Sequence, residues 1–362
     1  MTRGIPCMLM RGGSSKGVYL RRDDLPSDRD RRDALLRRVL GSPDPRQIDG
    51  LGGAHPLTSK VAIVAPSADP GADLDYLFLQ VGVADDTVSD RQNCGNLLAG
   101  VGPFAVERGM VEVPDDGEAL VRIRMRNTDS VATARFAVAD GAPVYEGDTT
   151  ISGVPGSAAP IELEFEDIAG SSVGSLLPTG NVVDEIDGIA CTLVDNGMPV
   201  VVSAAADLGV TGYESCAELE ANEALRSRLE TIRAKAGELM GLGDVRDTTV
   251  PKMTMIAPPR AGGHLCTRTF IPHRCHDAIG VLGAVSVATA ALLPGSAAAA
   301  LRSLPGAGVV RLEHPTGHFD AVIDVSTGAD GHIEVRRAGI IRTARKLMDG
   351  VVFPRPVSSR PE

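Results

Sequence analysis

The chain is made of short apolar segments that each end at Gly, Pro, Asp or Asn, and this pattern constrains the fold more than any other feature. The segments are rich in β-branched residues, which is typical of strands. They are PCMLM, KVAIVAP, LDYLFLQVGV, ALVRIRMRN, ATARFAVA, IELEFED, IACTLVDNGMPVVVSAAAD, MTMIAP, LCTRTFI, GVVRLEH, FDAVIDV and HIEVRRAGII. We therefore expect a protein built mostly on β-sheet, with few helices.

Two segments, 93–109 and 274–295, are apolar on almost every side. A helix of that kind is enclosed by other elements. Each segment follows predicted strands and opens with a cysteine beside polar residues, so one copy falls in each half. A chain of 362 residues is also too long for one ordinary domain. The pattern predicts two related domains, each a sheet around a central helix.

Two further segments, 24–41 and 217–241, are amphipathic at helical spacing. In the first, Pro26 comes early and Gly41 is a suitable stop. In the second, Leu219, Leu225 and Leu229 share one side with the apolar residues that follow. We interpret the second segment as a solvated surface helix rather than an interface.

Composition and charge disfavour several classes of partner. Aromatic residues make up 3% of the chain and the net charge is -11, which argues against a nucleic-acid partner. The longest apolar run, 278–293, is too short and too mixed for a membrane span, and the first residues are not a secretory signal. None of the six cysteines forms a CxxC pair. We expect a cytoplasmic protein with free thiols and no membrane partner.

Cys94 lies in the stretch DRQNCGNLLAGVGPF, at the predicted start of the first enclosed helix. Asn93 is a suitable N-cap, which would place Cys94 in the first turn. Backbone N–H groups and the helix dipole stabilise a thiolate there, so Cys94 is a candidate acid or base. Gly95 leaves room for a ligand, and the amides of Asn93 and Asn96 can donate to a carboxylate. The alternative is a small buried cysteine that only packs.

The stretch MRGGSSKG, residues 10–17, joins a predicted strand to a Gly-rich turn with several hydrogen-bond donors. Backbone N–H groups, hydroxyls and a guanidinium in such a loop can hold an anion. The candidate anion ligands are Arg11, Gly12, Gly13, Ser14 and Ser15. The spacing of a nucleotide-binding P-loop is missing, and a plain Gly turn is the alternative.

Lys60 begins an apolar strand directly after Ser59. A lysine that enters a buried strand must reach solvent or meet an anion, because burial of an unpaired charge is expensive. Partial burial lowers the pKa of a lysine and makes it a workable general base. Lys60 is therefore a candidate base and Ser59 a candidate substrate ligand. A solvated lysine at a strand end is the alternative.

In the second half, residues 266–280 gather positive side chains near a predicted helix start at about Asp277. Arg268 and His273 are candidate substrate ligands there. No H-E-x-x-H motif occurs, so we expect no metal. No G-x-G-x-x-G follows a strand and no G-x-S-x-G elbow occurs, which disfavours a nicotinamide enzyme and a serine hydrolase. The candidate residues together predict a cofactor-free proton-transfer site for a polycarboxylate.

Six motifs in this order carry a family resemblance: PCMLMRGGSSKG, GLGGAHPLTSKVAIV, RQNCGNLLAGVGPFAVERG, LPTGN, VPKMTMIAPP and RTARKLMDGVVF. From residue 5 to about 355 the chain resembles the PrpF-like family, and within it the 4-oxalomesaconate tautomerases most closely. The resemblance implies an α/β (α+β) fold with two diaminopimelate-epimerase-like domains, each a curved, mostly antiparallel sheet around a central helix. The stretch LPTGN is suited to a hinge between the halves and predicts domains at 1–180 and 181–345. The resemblance implies that a last strand, about 346–362, returns to the first domain.

The resemblance also implies a cofactor-independent isomerase or tautomerase. Such an enzyme moves a proton in an unsaturated keto tricarboxylate such as 4-oxalomesaconate, by a keto–enol or 1,3-allylic shift, in the degradation of aromatic acids. The catalytic lysine and cysteine of the family match Lys60 and Cys94, and its anion-binding loop matches residues 11–17. No cofactor or metal is implied, and a homodimer is expected only at the level of the family.

Three alternatives stay open from the sequence. The first is a sister isomerase that acts on 2-methylaconitate in propionate metabolism. The second is a cofactor-free racemase or epimerase with Cys275 as its second thiol, although HRCHDAIG departs from the epimerase pattern ACGTG. The third is a non-catalytic accessory protein of an iron–sulfur dehydratase.

Overall fold

The computed structural model describes residues 4–91, 93–301, 308–328 and 333–357. Its contacts divide the chain into two compact units. The first unit comprises Met1–Glu166 with Arg342–Glu362, and the second comprises Asp167–Ile341. The first unit is therefore discontinuous in sequence and the second is continuous.

The first unit is built on a mostly antiparallel sheet. Its first strand, β1, pairs antiparallel with β2 and with the C-terminal half of β17. The pairing of β2 with β3 is parallel, and β3 with β4, β6 with β7 and β7 with β9 are antiparallel. These strands are β1 (Ile5–Gly12), β2 (Ser15–Arg21), β3 (Lys60–Pro66), β4 (Leu74–Val81), β5 (Val88–Ser89), β6 (Gly117–Met125), β7 (Ser130–Ala139), β8 (Ala142–Pro143), β9 (Pro160–Phe165) and β17 (Ile333–Val352).

One face of this sheet packs on α1 (Arg29–Leu40). The side chain of Asp28 accepts from Arg31 N and caps the helix, and Gly41 ends it in the left-handed region at φ 83°. Both ends of this helix therefore follow from the sequence. Its buried residues pack with alternate residues of β2 and β3, among them Leu20 and Ile63. We call this side the outer face of the first unit.

The opposite, inner face carries α2 (Gly95–Leu98) and α3 (Val101–Glu107). The short helix α2 contacts β1 and β2, and α3 contacts β3, β6 and β8. The prediction of one continuous helix over 93–109 was wrong, because Pro103 lacks an N–H and its ring would clash with the carbonyl four residues earlier. Pro103 is tolerated because a new helix, α3, begins at Val101 and places Pro103 in its first turn, where backbone N–H groups have no partner within the helix.

The second unit repeats this plan with a longer central helix, α6 (Val281–Leu292), which contacts β11, β12, β15 and β16. The helix begins at Val281 rather than near Asp277, and Gly280 stands at its N-cap. The strands are β10 (Asp184–Ile186), β11 (Ile189–Asp195), β12 (Pro199–Ala204), β13 (Lys252–Ala257), β14 (Leu265–Phe270), β15 (Gly308–His314), β16 (Gly317–Thr327) and the N-terminal half of β17, with helices α4 (Cys216–Ala221) and α5 (Glu223–Leu239).

The segment 217–241 forms two helices rather than one, because Asn222 adopts an extended conformation and its side chain caps α5. Leu225, Leu229 and Ile232 are buried in the core of the second unit. The segment thus forms two helices whose apolar side packs on the core of their own unit.

Candidate active site

Alternate residues of β4 contact the two candidate catalytic residues of the first unit. Side chains at Tyr76, Phe78 and Gln80 point to one side of the strand, because successive residues of a strand point to opposite faces. Tyr76 contacts Cys94, and the other two contact Lys60. Lys60 and Cys94 therefore meet the same face of the same strand.

Lys60 opens β3 and pairs with Gly17 in parallel register, so it lies on the inner face with the residues that approach α2. The residue is only 7% exposed. Its Nζ donates to Gln80 Oε1 at 3.0 Å and lies 4.9 Å from the ring centre of Phe78. The Gln80 amide in turn donates to the carbonyls of Pro56 and Ser59. The direction of the ammonium group is thus set by a side chain that is itself held in place.

Cys94 is the N-cap residue of α2 and is 9% exposed. Its carbonyl accepts from Leu98 N and from the hydroxyl of Tyr76 at 3.3 Å. The prediction that Asn93 caps this helix was wrong, because the Asn93 amide donates to Thr128 Oγ1 at 2.6 Å instead. The cysteine, rather than the asparagine, therefore stands at the junction between loop and helix.

Two tyrosines hold α2 by its carbonyl groups. Tyr19 donates to Leu97 O at 2.6 Å, and Tyr76 donates to Cys94 O. Burial raises the pKa of both phenols well above the ordinary value, and a negative charge on Cys94 would raise it further. Both hydroxyls consequently stay protonated and keep donating across the working pH range.

The Gly-rich loop is a two-residue hairpin turn between β1 and β2, in which Gly12 pairs with Ser15. A Cβ at Gly12 would lie 2.4 Å from Asn96 O, and one at Gly13 would lie 2.2 Å from Asn96 Oδ1. Gly13 also has φ +52°, in the left-handed region. The two glycines are therefore required because the turn packs directly on the first turn of α2.

Asn96 links this turn to the returning strand β17. Its Nδ2 donates to Ser14 Oγ at 3.2 Å, and its Oδ1 accepts from Arg342 Nε at 3.2 Å. The amide of Asn96 thus has protein partners on both atoms. Gly95, the first residue of α2, lies between Asn96 and Cys94 and is half-buried.

Arg11 is engaged within its own unit. Its Nη1 donates to Gly13 O and to the carbonyl and hydroxyl oxygens of Thr343 at 2.9–3.0 Å. Burial, followed by the neighbouring Arg345, lowers the pKa of its guanidinium. In the hairpin Arg11 pairs with Lys16, the neighbour of Gly17. Because side chains alternate along a strand and Gly17 is on the inner face, Arg11 and Lys16 lie on the opposite side of the hairpin. A role for Arg11 as a carboxylate ligand stays a prediction.

A cavity of about 280 Å³ adjoins the hairpin. Three of the predicted anion ligands line it, together with cationic side chains that suit an anion. Lys60 and Cys94 are not among its lining residues. The lining consists of Arg11, Ser14, Ser15, Lys16, Thr58, Gly153, Val154, Pro155, Arg345 and Leu347.

Two buried polar atoms near the candidate site lack hydrogen-bond partners among the described residues. They are Ser15 Oγ and Asn93 Oδ1. Buried polar atoms are nearly always paired, so such atoms mark places where a ligand or water can complete the bonding. Ser59, by contrast, is satisfied, because its hydroxyl donates to Gln47 Oε1 at 2.7 Å.

The two candidate ligands of the second unit also have local partners. Arg268 is 7% exposed on β14, and it donates to the carbonyls of Glu214 and Thr267. The ring of His273 is 56% exposed, with its Nδ1 3.6 Å from Glu230 Oε2. Their predicted roles as substrate ligands stay predictions.

Cys275 differs from Cys94 in its setting. It lies in an isolated bridge with Phe270 and precedes α6 rather than opening it. Burial raises the pKa of its thiol, and the neighbouring Cys216 raises it further. All six cysteines are described and carry free thiols.

Several residues of the site escaped the sequence reasoning. Gln80, Tyr76 and Phe78 lie in a mostly apolar strand, LDYLFLQV, in which Asp75 and Gln80 are the clearly polar residues. Arg342 and Thr343 are distant in sequence, within the motif RTARK. Their contact with the hairpin depends on the return of β17, which no local pattern reveals.

Within residues 4–91, 93–301, 308–328 and 333–357, no cluster of three His, Cys, Asp or Glu side chains is arranged to bind a metal ion. In the same ranges, no helix combines the length and apolar character that crossing a membrane requires.

Comparison with known proteins extends over nearly the whole chain. The (4E)-oxalomesaconate Delta-isomerase of Novosphingobium sp. (strain KA1) is 57% identical over 350 residues, which cover 96% of this chain and 97% of that relative. The 4-oxalomesaconate tautomerase of Pseudomonas putida is 55% identical, with 96% and 95% covered.

The crystal structure of a methylitaconate-delta-isomerase covers 100% of both chains with a TM-score of 0.88 at 36% identity. The predicted α/β fold class is thereby confirmed. A family model described as PrpF protein matches residues 2–355. The chain belongs to the PrpF family.

Proposed function

We propose that this protein is an isomerase that moves a proton within 4-oxalomesaconate, an unsaturated keto tricarboxylate. The two relatives above 50% identity are named for this substrate, one as a Delta-isomerase and one as a tautomerase. The observation that carries the proposal is the joint placement of Lys60 and Cys94 against one face of β4, each almost fully buried.

Lys60 and Cys94 form the proton-transferring pair in this proposal. Removal of a carbon-bound proton next to a keto acid builds a dienolate, so the enzyme must supply a base and stabilise negative charge. One residue takes the proton from carbon, and the other returns it elsewhere on the conjugated system or assists the enol oxygen. The overall reaction is an internal proton shift and consumes no co-reactant.

The polar groups around the hairpin support a carboxylate-rich substrate. Ser15 Oγ has no partner among the described residues and can donate to a carboxylate. Asn93 Oδ1, also without one, can accept from an enol hydroxyl or a protonated acid. Candidate ligands with existing partners, such as Arg11 and Ser14, would exchange those partners for substrate.

The test is direct turnover by the purified full-length protein. We expect 4-oxalomesaconate to be consumed, with a change in its keto–enol absorbance. Proton NMR in D₂O would separate an allylic product from a tautomer. Lys60→Ala and Cys94→Ala should each lower kcat by about 10²- to 10⁴-fold, the usual contribution of general acid–base catalysis.

Lys235→Ala and Cys216→Ser are the matched controls. They remove the same chemical groups from the second unit, where Lys235 is paired with Asp187 at the surface. Both should retain most of the activity. Near-normal turnover by either the Lys60 or the Cys94 variant would refute the assignment of the pair.

The isomerase of 2-methylaconitate is the second candidate, because a 2-methyl-aconitate isomerase of Shewanella oneidensis is 36% identical over 96% of this chain. Running 2-methylaconitate beside 4-oxalomesaconate separates the two by their kcat/KM values. A racemase would instead require Cys275, whose raised pKa and position outside α6 do not favour a second proton-transferring thiol.

The setting that accompanies this proposal is the cytoplasmic breakdown of aromatic acids, without a cofactor or metal. Neither nucleic acid nor a membrane is expected as a partner, and a homodimer is the proposed assembly. Dialysis against a chelator should leave kcat unchanged, and light scattering on the purified protein would give its mass.

A further inference from the structure

A second cavity of the first unit lies on the outer face of the sheet, away from Lys60. It has a volume of about 420 Å³. From β3 it is lined by Ile63 and Ala65, which point opposite to Lys60 because side chains alternate along a strand. From β4 it is lined by Asp75 and Leu77, again out of phase with the residues that contact Lys60. The sheet therefore separates this cavity from the candidate active site.

The cavity carries arginines whose hydrogen-bonding capacity is largely unused. The Nη1 atoms of Arg22 and Arg126 lie 3.7 and 3.8 Å from the same oxygen, Asp75 Oδ2. Neither guanidinium makes a hydrogen bond to a described residue. Ser67 already donates to the other oxygen of Asp75 at 2.9 Å. One buried carboxylate thus faces two guanidinium groups, and both keep donors available for another anion.

A third arginine and a second aspartate, Asp23, also line the cavity. The side chain of Arg32 is 16% exposed and is paired with Asp33, whose Oδ1 accepts from Arg32 Nε at 2.8 Å and lies 2.7 Å from Arg32 Nη2. The donors available for another anion are therefore those of Arg22 and Arg126.

The remaining walls of the cavity are apolar apart from Ser27. Leu25 and Pro26 face it from the segment before α1, opposite the residues of β3 and β4. A ligand that fits must therefore combine an anionic end with an apolar body. Guanidinium groups bind carboxylates in a fork geometry and stack on aromatic rings, so a flat ring suits the walls better than a flexible chain.

We propose that this outer-face cavity is a second binding site of the protein, for a small aromatic carboxylate. Arg22 and Arg126 hold the carboxylate, and the ring lies against Ile63, Ala65 and Leu77. The bound acid would rest on the back of β3, the strand that begins with Lys60. This cavity and the candidate active site lie on opposite faces of the sheet, so a negative result for benzoate leaves the isomerase proposal untouched.

Benzoate is the probe, titrated into the full-length protein and followed by calorimetry and ligand-observed NMR. We expect saturable binding. Acetate, which lacks the ring, and benzyl alcohol, which lacks the charge, should each bind at least about tenfold more weakly. Arg22→Gln and Arg126→Gln should each weaken benzoate binding about tenfold, the usual loss for one charge-assisted hydrogen bond.

Arg228→Gln is the matched control, because Arg228 is exposed on α5 of the second unit. It should bind benzoate as the parent protein does, and so should Lys60→Met. Arg22 and Arg126 have side chains that are 60% and 47% exposed, so their variants are expected to fold, which circular dichroism would verify.

Three results would overturn the proposal. They are the absence of saturable benzoate binding at millimolar concentrations, equal binding to the Arg126 and Arg228 variants, and loss of binding in Lys60→Met, which would assign the binding to the candidate active site.

Discussion

At the scale of single residues, the setting of Lys60 depends on the amide of Gln80. That amide accepts from the ammonium group and donates to the carbonyls of Pro56 and Ser59. Lys60 could be predicted from sequence because a lysine at the start of an apolar strand is conspicuous. Gln80 could not, because its importance comes from the antiparallel register that places it opposite Lys60.

Replacing Gln80 by Leu should lower kcat about tenfold with a smaller change in KM. The ammonium group loses the acceptor that orients it, and the worth of one hydrogen bond to a charged group is about 1.5 kcal/mol or more. Gln80→Glu keeps an acceptor at the same position and should recover part of the rate. Steady-state kinetics on both variants test this. Equal losses in the two variants would point to a purely structural role for Gln80.

At the scale of elements, the central helix of the first unit is interrupted where that of the second is not. Tyr19 occupies the space beside Gly100, at the start of α3. The enclosed character of both helices was evident from their apolar sequences. Pro103 marks the interruption in the sequence, whereas the packing of Tyr19 beside Gly100 is a contact between segments far apart in the chain.

Gly100→Ala should lower the free energy of unfolding by about 1–3 kcal/mol, the usual cost of overpacking. The new Cβ would lie 2.5 Å from Tyr19 Oη, and Tyr19 is fully buried. Gly283→Ala in α6 is the matched control. Among the described residues, no atom beyond the backbone of α6 itself lies within 4 Å of the new Cβ, so a helical alanine should be neutral or stabilising by up to about 1 kcal/mol. Urea unfolding compares them, and equal effects would contradict this account.

The end of α3 is tied to β17 by a pair between Arg108 and Asp349. The two terminal nitrogens of the guanidinium, Nη1 and Nη2, donate to the two carboxylate oxygens at 3.0 and 2.6 Å. This hydrogen bonding lowers the pKa of Asp349 below its usual value. A depressed carboxyl pKa stabilises the fold above the pKa of the unfolded chain, and that contribution is lost as pH falls through the folded-state value.

Asp349→Asn should therefore lower stability by about 0.5 kcal/mol at pH 7, a modest amount because the carboxylate is 41% exposed. The difference between variant and parent should shrink as pH is lowered from 4 to 3. Thermal unfolding over that range provides the measurement. A difference that stays constant with pH would show that the carboxylate charge contributes nothing.

At the scale of the whole molecule, the chain divides at a point that local sequence does not mark. The contact boundary lies between Glu166 and Asp167, whereas the boundary at 180–181 stays a prediction. Four residues within 170–176 are hydrogen-bonded to Asp195, which is fully buried. Its backbone pairs with Gly170 and Leu176, and its carboxylate accepts from two further N–H groups.

A fragment of residues 167–341 should consequently be more stable than one of residues 181–345. The shorter start removes the N–H groups of Ser172 and Val173 that donate to the Asp195 carboxylate, and the loss of a hydrogen bond to a charged group costs about 1.5–3 kcal/mol. Thermal melts of the two fragments would decide between the boundaries. A 181–345 fragment of equal stability would favour the boundary at 180–181.

The return of β17 to β1 also sets the order in which the protein can be completed on the ribosome. β1 emerges first, but one of its two neighbours is made almost a full chain length later. The second unit is continuous, so it can finish folding while the first still has an open strand edge. Such an edge is where a nascent chain meets wrong partners, so β1 is the segment of this protein that most needs protection during translation.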